Sequence, residues 1–86
     1  MQVTVYGPLR TATGGKSVRV EADPDTVGDA LDAFVEAYPR AERHLVDPDG
    51  DLRSSVRLTV AGDRAAPNDS FPTGAGLTIH PAMRGG

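Results

Sequence analysis

Gly85 and Gly86 are the last two residues of the sequence, and their chemistry is its most distinctive feature. Because glycine has no Cβ atom, the Gly86 carboxylate is an unhindered acyl group, and Gly85 can adopt dihedral angles closed to other residues. Such a segment fits a narrow enzyme channel, so we expect adenylation of the carboxylate and transfer of the acyl group to a sulfur or nitrogen nucleophile. The alternative is an ordinary frayed terminus, although chance places two glycines there in only about 1% of chains this rich in glycine.

Other reactive groups are sparse along the chain. There is no cysteine, which excludes a thiol nucleophile, a disulfide and a thiolate metal site. His44 and His80 are too few for a zinc cluster, and no serine, histidine and acid stand out as a catalytic set. The glycine of the acidic segment 47–51 comes too early for a calcium loop, so this segment predicts a turn. We therefore expect no catalytic residue, no bound metal and no bound cofactor.

The balance of charge bounds the partners. The net charge is −3, and Lys16 is the single lysine among nine basic residues. Without a basic run or interleaved aromatic residues, this composition argues against nucleic acid as a partner. No apolar stretch has the length of a membrane helix, and the opening residues resemble a strand rather than a signal peptide, so we expect no membrane association and a cytoplasmic location. The 86 residues predict one small domain, which we expect to be a monomer.

Hydrophobic periodicity predicts four strands and one main helix. Alternation with period two marks strands at 2–6, 17–21, 56–60 and 77–80. The first two strands are joined by about ten residues, which is long for a hairpin, so we expect a short helical turn there. Thr26 is a suitable N-cap for a helix that Pro39 ends, and this helix carries one apolar stripe. The stripe consists of Val27, Ala30, Leu31, Phe34, Val35 and Tyr38.

The order of these elements predicts an α+β chain with the β-grasp (ubiquitin-like) fold. A mixed sheet of four to five strands packs one main helix on one face, and its first and last strands lie side by side at the centre. A short second helix is expected over 41–46, and the stretch 64–76 is rich in turn residues. We divide the chain into a β-grasp domain, 1–82, and a flexible C-terminal tail, 83–86.

Strand alternation also assigns the two faces of the sheet. The valines, leucines and isoleucine of the strands point at the helix, and the polar strand residues lie on the open face. We interpret this open face as a candidate partner-docking surface, the alternative being a merely solvated face. Its candidate docking residues are Tyr6, Arg19, Arg57, Thr59 and His80.

The whole chain resembles the MoaD/ThiS group of ubiquitin-like sulfur carriers, and within it the small archaeal ubiquitin-like modifier proteins. The resemblance rests on the opening strand 3–6, the following Leu9-Arg10 and Gly14-Gly15, and the helix start 26–31. It rests above all on a last strand that is followed by Pro81, by Met83 and Arg84, and by the terminal diglycine.

The resemblance implies a carrier that is a substrate rather than an enzyme. An E1-like enzyme adenylates Gly86 with ATP, and Pro81, Met83, Arg84 and Gly85 are the residues by which the tail is recognised. In a modifier the acyl group passes to a target lysine as an isopeptide, and a deconjugating metalloprotease is an implied further partner. In a sulfur carrier the adenylate becomes a thiocarboxylate.

Three interpretations remain open at this stage. The chain is a protein modifier that also carries sulfur, or a dedicated sulfur carrier that serves tRNA thiolation or pairs with the large subunit of molybdopterin synthase in molybdenum cofactor biosynthesis. The third interpretation is a β-grasp binding module whose diglycine is incidental. In the first case Lys16 and the N-terminal amine are the self-conjugation sites through which chains of the protein grow.

Overall fold

The central feature of the fold is a five-stranded mixed sheet. The structure is a computed structural model that describes residues 1–53 and 55–80. Its strands are β1 (Gln2–Val5), β2 (Ser17–Arg19), β3 (Arg57–Val60), β4 (Asp63–Ala65) and β5 (Leu77–His80). Their order across the sheet is β2-β1-β5-β3-β4. The first and last strands pair in parallel and the other pairs are antiparallel, which confirms the predicted central pairing and the β-grasp fold.

One helix, α2 (Val27–Ala37), covers the inner face of the sheet. Thr26 caps it as predicted, since its Oγ1 accepts a hydrogen bond of 3.1 Å from the amide of Asp29. The amide of Gly28 donates to the carbonyl oxygen of Pro67 at 2.7 Å. A Cβ atom on Gly28 would lie 3.1 Å from that same oxygen, so the close approach of the 67–69 loop favours glycine here.

The predicted stripe of α2 forms the middle of the core. Val27, Ala30 and Phe34 are completely buried, whereas Val35 and Tyr38 are half-buried and pack against the core from its margin. Inward-facing residues of the strands, with Val20 just after β2, pack against this stripe. They are Val3, Val5, Val20, Leu58, Val60, Leu77 and Ile79, with Val18 half-buried beside them.

The connections hold the two predicted short helices. The first, α1 (Leu9–Thr13), lies between β1 and β2 and ends at Gly14, whose φ of 81° is the left-handed conformation that glycine tolerates. The second, α3 (Glu42–Leu45), follows a single 3₁₀ turn at Pro39–Ala41. None of the helices in the described part of the chain has the length and apolarity needed to cross a membrane.

The fifth strand of the predicted four- to five-stranded sheet lies at the start of the stretch 64–76, where the sequence analysis located no strand. Arg64 and Ala65 belong to β4, which pairs with β3 through a two-residue hairpin turn. Ala61 has φ 53° and Gly62 has φ 85°, as a type I′ turn requires at both central positions. The strand escapes prediction because Asp63-Arg64-Ala65 lies at an edge of the sheet and has no apolar alternation.

Candidate functional site

The end of β5 is the described part of the chain that lies nearest to Gly86 in the sequence. Hydrogen bonding to β1 on one side and β3 on the other holds β5 at the centre of the sheet. His80 is the last residue of that strand. The predicted tail residues, Pro81, Met83, Arg84, Gly85 and Gly86, lie outside the described residues, so the site is built here from the surface around His80.

An aromatic pair marks this surface. Val5 is the register partner of Ile79, which brings Tyr6 and His80 side by side on the open face one residue further along. Their rings stack with centroids 4.8 Å apart and planes 8° from parallel. Tyr6 keeps 37% of its surface exposed, so the pair forms a flat platform that solvent and partners reach.

Two cationic side chains flank the aromatic pair. The Nζ atom of Lys16 lies 5.6 Å from the centre of the Tyr6 ring, within the range of a cation–π interaction. On the other side Arg57 is the cross-strand partner of His80. Four side chains therefore form a row across the sheet at the base of the tail, in the order Lys16, Tyr6, His80 and Arg57. Two predicted docking residues of this row, Tyr6 and Arg57, lie on either side of the end of β5.

The remaining docking residues lie in other rows. Thr59 is the partner of Thr78, one row further from the tail. Arg19 is the partner of Gln2, so it is four residues, about 13 Å, from the aromatic pair along the strands. It also forms an ion pair of 3.5 Å with Glu21. The prediction that placed all five residues on the open face is correct, but Arg19 does not join the cluster around His80.

Arg64 is a surface residue that the sequence analysis missed. It is exposed and lies opposite Thr59, on the open face, because β4 pairs with β3 in that register. The sequence feature that indicates the position of Arg64 is Gly62, because this glycine closes the hairpin turn and the residues after it then lie beside β3. Among the described residues the one ion pair is Arg19 with Glu21, so neither Arg57 nor Arg64 is neutralised there.

A groove of about 690 Å³ occupies the part of the open face away from His80. Gln2, Arg19 and Thr78 line it from the sheet, and Asp25 and Thr73 line it from the adjoining loops. Its mixed charge and its position separate it from the base of the tail.

The acidic segment 47–51 forms the predicted turn. The Oδ1 atom of Asp47 accepts hydrogen bonds from the amides of Asp49, at 3.0 Å, and Asp51, at 3.1 Å. Its carboxylate therefore satisfies the backbone of its own turn. Across residues 1–53 and 55–80, no three histidine or acidic side chains gather as metal ligands would.

Comparison with known proteins identifies the family of this chain. No protein-family model matches the sequence. Over 87 aligned residues the chain is 36% identical to small archaeal modifier protein 1 of Haloferax volcanii, and the alignment covers 100% of both chains. The chain belongs to the small archaeal modifier protein family. The predicted family and the modifier class are thereby confirmed.

Solved structures agree with this assignment. The crystal structure of the Haloferax volcanii protein superimposes with a TM-score of 0.90 at 36% identity, covering 100% of this chain and 98% of that one. CysO in its complex with BexX from Amycolatopsis orientalis gives a TM-score of 0.79 at 28% identity, with 99% and 98% covered. CysO of Mycobacterium tuberculosis gives 0.77 at 29% identity, with 95% and 98% covered.

Proposed function

We propose that this chain is a ubiquitin-like protein modifier that an E1-like enzyme activates at the Gly86 carboxylate and joins to target lysines by isopeptide bonds. The single observation that carries the proposal is full-length similarity to a modifier protein of this family, in a chain that places Gly85-Gly86 after the central strand of its sheet.

The chemistry requires two steps, the first at the α-phosphorus of ATP and the second at the carbonyl carbon of Gly86. The carboxylate first attacks the α-phosphate of ATP, which forms an acyl adenylate and releases pyrophosphate. A lysine amine of the target then attacks the acyl carbon, the isopeptide bond forms, and AMP leaves with the former carboxylate oxygen. The adenylate is needed because a free carboxylate is a poor electrophile.

This chain contributes presentation rather than catalysis. β5 is bonded on both sides, so the residue from which the tail leaves is fixed relative to the open face. The six residues from 81 to 86 extend at most about 20 Å beyond His80. A glycine at each of the last two positions keeps the acyl group free of side chains where it enters the enzyme.

The same adenylate supports sulfur transfer, which we propose as a second capacity of this chain. A sulfur nucleophile that attacks the acyl carbon in place of an amine releases AMP and leads to a thiocarboxylate at Gly86. The resemblance of the sequence to the MoaD/ThiS carriers favours this capacity. A dedicated carrier for molybdopterin synthase or tRNA thiolation is the alternative function.

The test is a denaturing purification of N-terminally tagged protein from its host, followed by trypsin digestion and mass spectrometry. Because Arg84 precedes the diglycine, trypsin leaves a Gly-Gly remnant on every modified lysine. We expect remnants with the wild type and with an Ala82→Gly control, and none after deletion of Gly86. A thiocarboxylate without remnants would instead support the dedicated carrier, and an unmodified tail without remnants would support a binding module.

A further inference from the structure

We propose that the open face around His80 is the docking surface for the enzyme that activates Gly86, and that the enzyme meets it with an acidic, carboxylate-bearing surface. Arg57 and Arg64 are the charged contacts, and the stacked Tyr6–His80 pair is the aromatic centre. This inference rests on the proposed function, and it adds the chemistry of the partner and the residues that recognise it.

The first argument is the distribution of charge. The chain is acidic overall, with a net charge of −3. On the β3–β4 side of the open face the charged strand residues, Arg57 and Arg64, are both basic, whereas Arg19 on the far side is paired with Glu21. Asp63 pairs with Val60 and therefore lies on the opposite face of β4. A positive patch at Arg57 and Arg64 on a negative molecule orients it towards an acidic partner.

The second argument is the spacing of the two free arginines. Arg64 lies opposite Thr59, and Arg57 is two residues before Thr59, so the arginines are diagonal neighbours. Such neighbours on an antiparallel pair lie about 7–8 Å apart. Both are exposed, and neither has an ion pair with another described residue. Carboxylates on a partner would relieve the repulsion between them, and arginine binds carboxylates with two parallel hydrogen bonds.

The third argument is the reach of the tail. Six residues join His80 to the reacting carboxylate, so the catalytic centre of the activating enzyme works within about 20 Å of His80. An enzyme that close must contact the surface beside β5. The open face offers it Tyr6, His80 and Arg57 in one row, directly at the base of the tail.

The aromatic part of the surface gives the interaction its centre. Aromatic residues that sit at the middle of an interface commonly contribute most of the binding energy, while charges at the rim govern the association rate and its dependence on salt. Tyr6 and His80 occupy the middle of the row, with Lys16 on one side and Arg57 on the other. The contribution of the arginines to binding should therefore fall as ionic strength rises, and the contribution of the aromatic pair should not.

The experiment measures adenylation of the purified protein by the activating enzyme of its own host, as pyrophosphate release against carrier concentration. The test variant is R57E/R64E. Its matched control is R40E/R43E, which makes the same change in net charge at two exposed arginines in the 3₁₀ turn and α3. A third variant, Tyr6→Ala, removes the aromatic platform, and thermal unfolding of each variant establishes that it folds.

We expect R57E/R64E to raise KM about tenfold at low ionic strength with kcat unchanged, because steering by charge changes encounter rather than chemistry. Near 1 M salt the rise should shrink to less than about threefold, since the Debye length falls to about 3 Å. R40E/R43E should stay within about twofold of the wild type. Tyr6→Ala should raise KM by a factor that salt does not reduce. If R57E/R64E fails to fold, R57Q/R64Q replaces it with a smaller expected rise.

Several outcomes would overturn the inference. An unchanged KM for R57E/R64E, or equal rises for both arginine pairs, would remove the docking role of this face and leave the proposed function standing. No adenylation of the wild type would overturn both. Binding of a 30-nucleotide RNA that R57E/R64E abolishes would assign the face to nucleic acid, and a dimer that this variant dissociates in sedimentation would assign it to a second copy.

Discussion

Replacing Phe34 by alanine should remove most of the stability of this domain. Phe34 is the largest of the completely buried side chains, and its ring lies 5.5 Å from that of Tyr38, tilted by 36°. Phenylalanine-to-alanine changes in a core lower the free energy of unfolding by about 3–5 kcal/mol. Because this change also removes the aromatic contact with Tyr38, we expect a loss of about 4 kcal/mol. A domain of this length has roughly 5 kcal/mol in total.

Urea unfolding followed by far-ultraviolet circular dichroism measures the effect. With a slope of about 1 kcal/mol per molar urea, a wild-type midpoint near 5 M should fall to about 1 M. Val35→Ala, on the same helix but at its half-buried margin, is the control and should cost about 1 kcal/mol. A midpoint for Phe34→Ala within 1 M of the wild type would refute the argument that the core is centred where α2 crosses the sheet.

Three further predictions concern single residues. Thr26→Ala should lower the free energy of unfolding by about 1 kcal/mol, since it removes the cap on the Asp29 amide. The melting temperature should drop by about 4–8 °C, and an equal drop for Thr73→Ala, a change in an exposed loop, would contradict the assignment of Thr26 as the cap. Ala61→Asn should raise the free energy of unfolding by up to about 1 kcal/mol, because asparagine tolerates the positive φ of 53° better than alanine; a lower melting temperature would show that the turn is not strained. Lys16→Arg should leave single conjugates intact and remove lysine-linked chains, which a Gly-Gly remnant on Lys16 reports in the wild type. Abundant chains in this variant would contradict the prediction unless they are linked through the N-terminal amine.

The sequence predicted the parts of the fold that hydrophobic periodicity encodes. The stripe from Val27 to Phe34 and the alternation in β1, β2, β3 and β5 each depend on local spacing, so the helix and four strands were found within one or two residues of their observed ends. The strand β4 was missed because Arg64 and its neighbours are mostly exposed and so lack the apolar alternation that marks a strand. Only the turn residues before them indicate a hairpin.

The candidate site was predictable in its residue types and not in its arrangement. Alternation placed Tyr6, Arg57 and His80 on one face, as the structure confirms. It also placed Arg19 there, but strand register alone decides that Arg19 pairs with Gln2 at the far end of the sheet. Register depends on turn geometry and on side-chain packing between strands that are distant in sequence, which no single stretch of sequence encodes.

The position of β5 between β1 and β3 has a consequence for how the molecule is made. Val3 pairs with Leu77, so the centre of the sheet joins residues that lie 74 positions apart in the sequence. A nascent chain cannot complete its core until β5 has left the ribosome. A product that stops before Leu77 would expose the edges of β1 and β3, which promote aggregation and degradation. A molecule with a complete core has therefore been translated at least through β5, which ends six residues before Gly86.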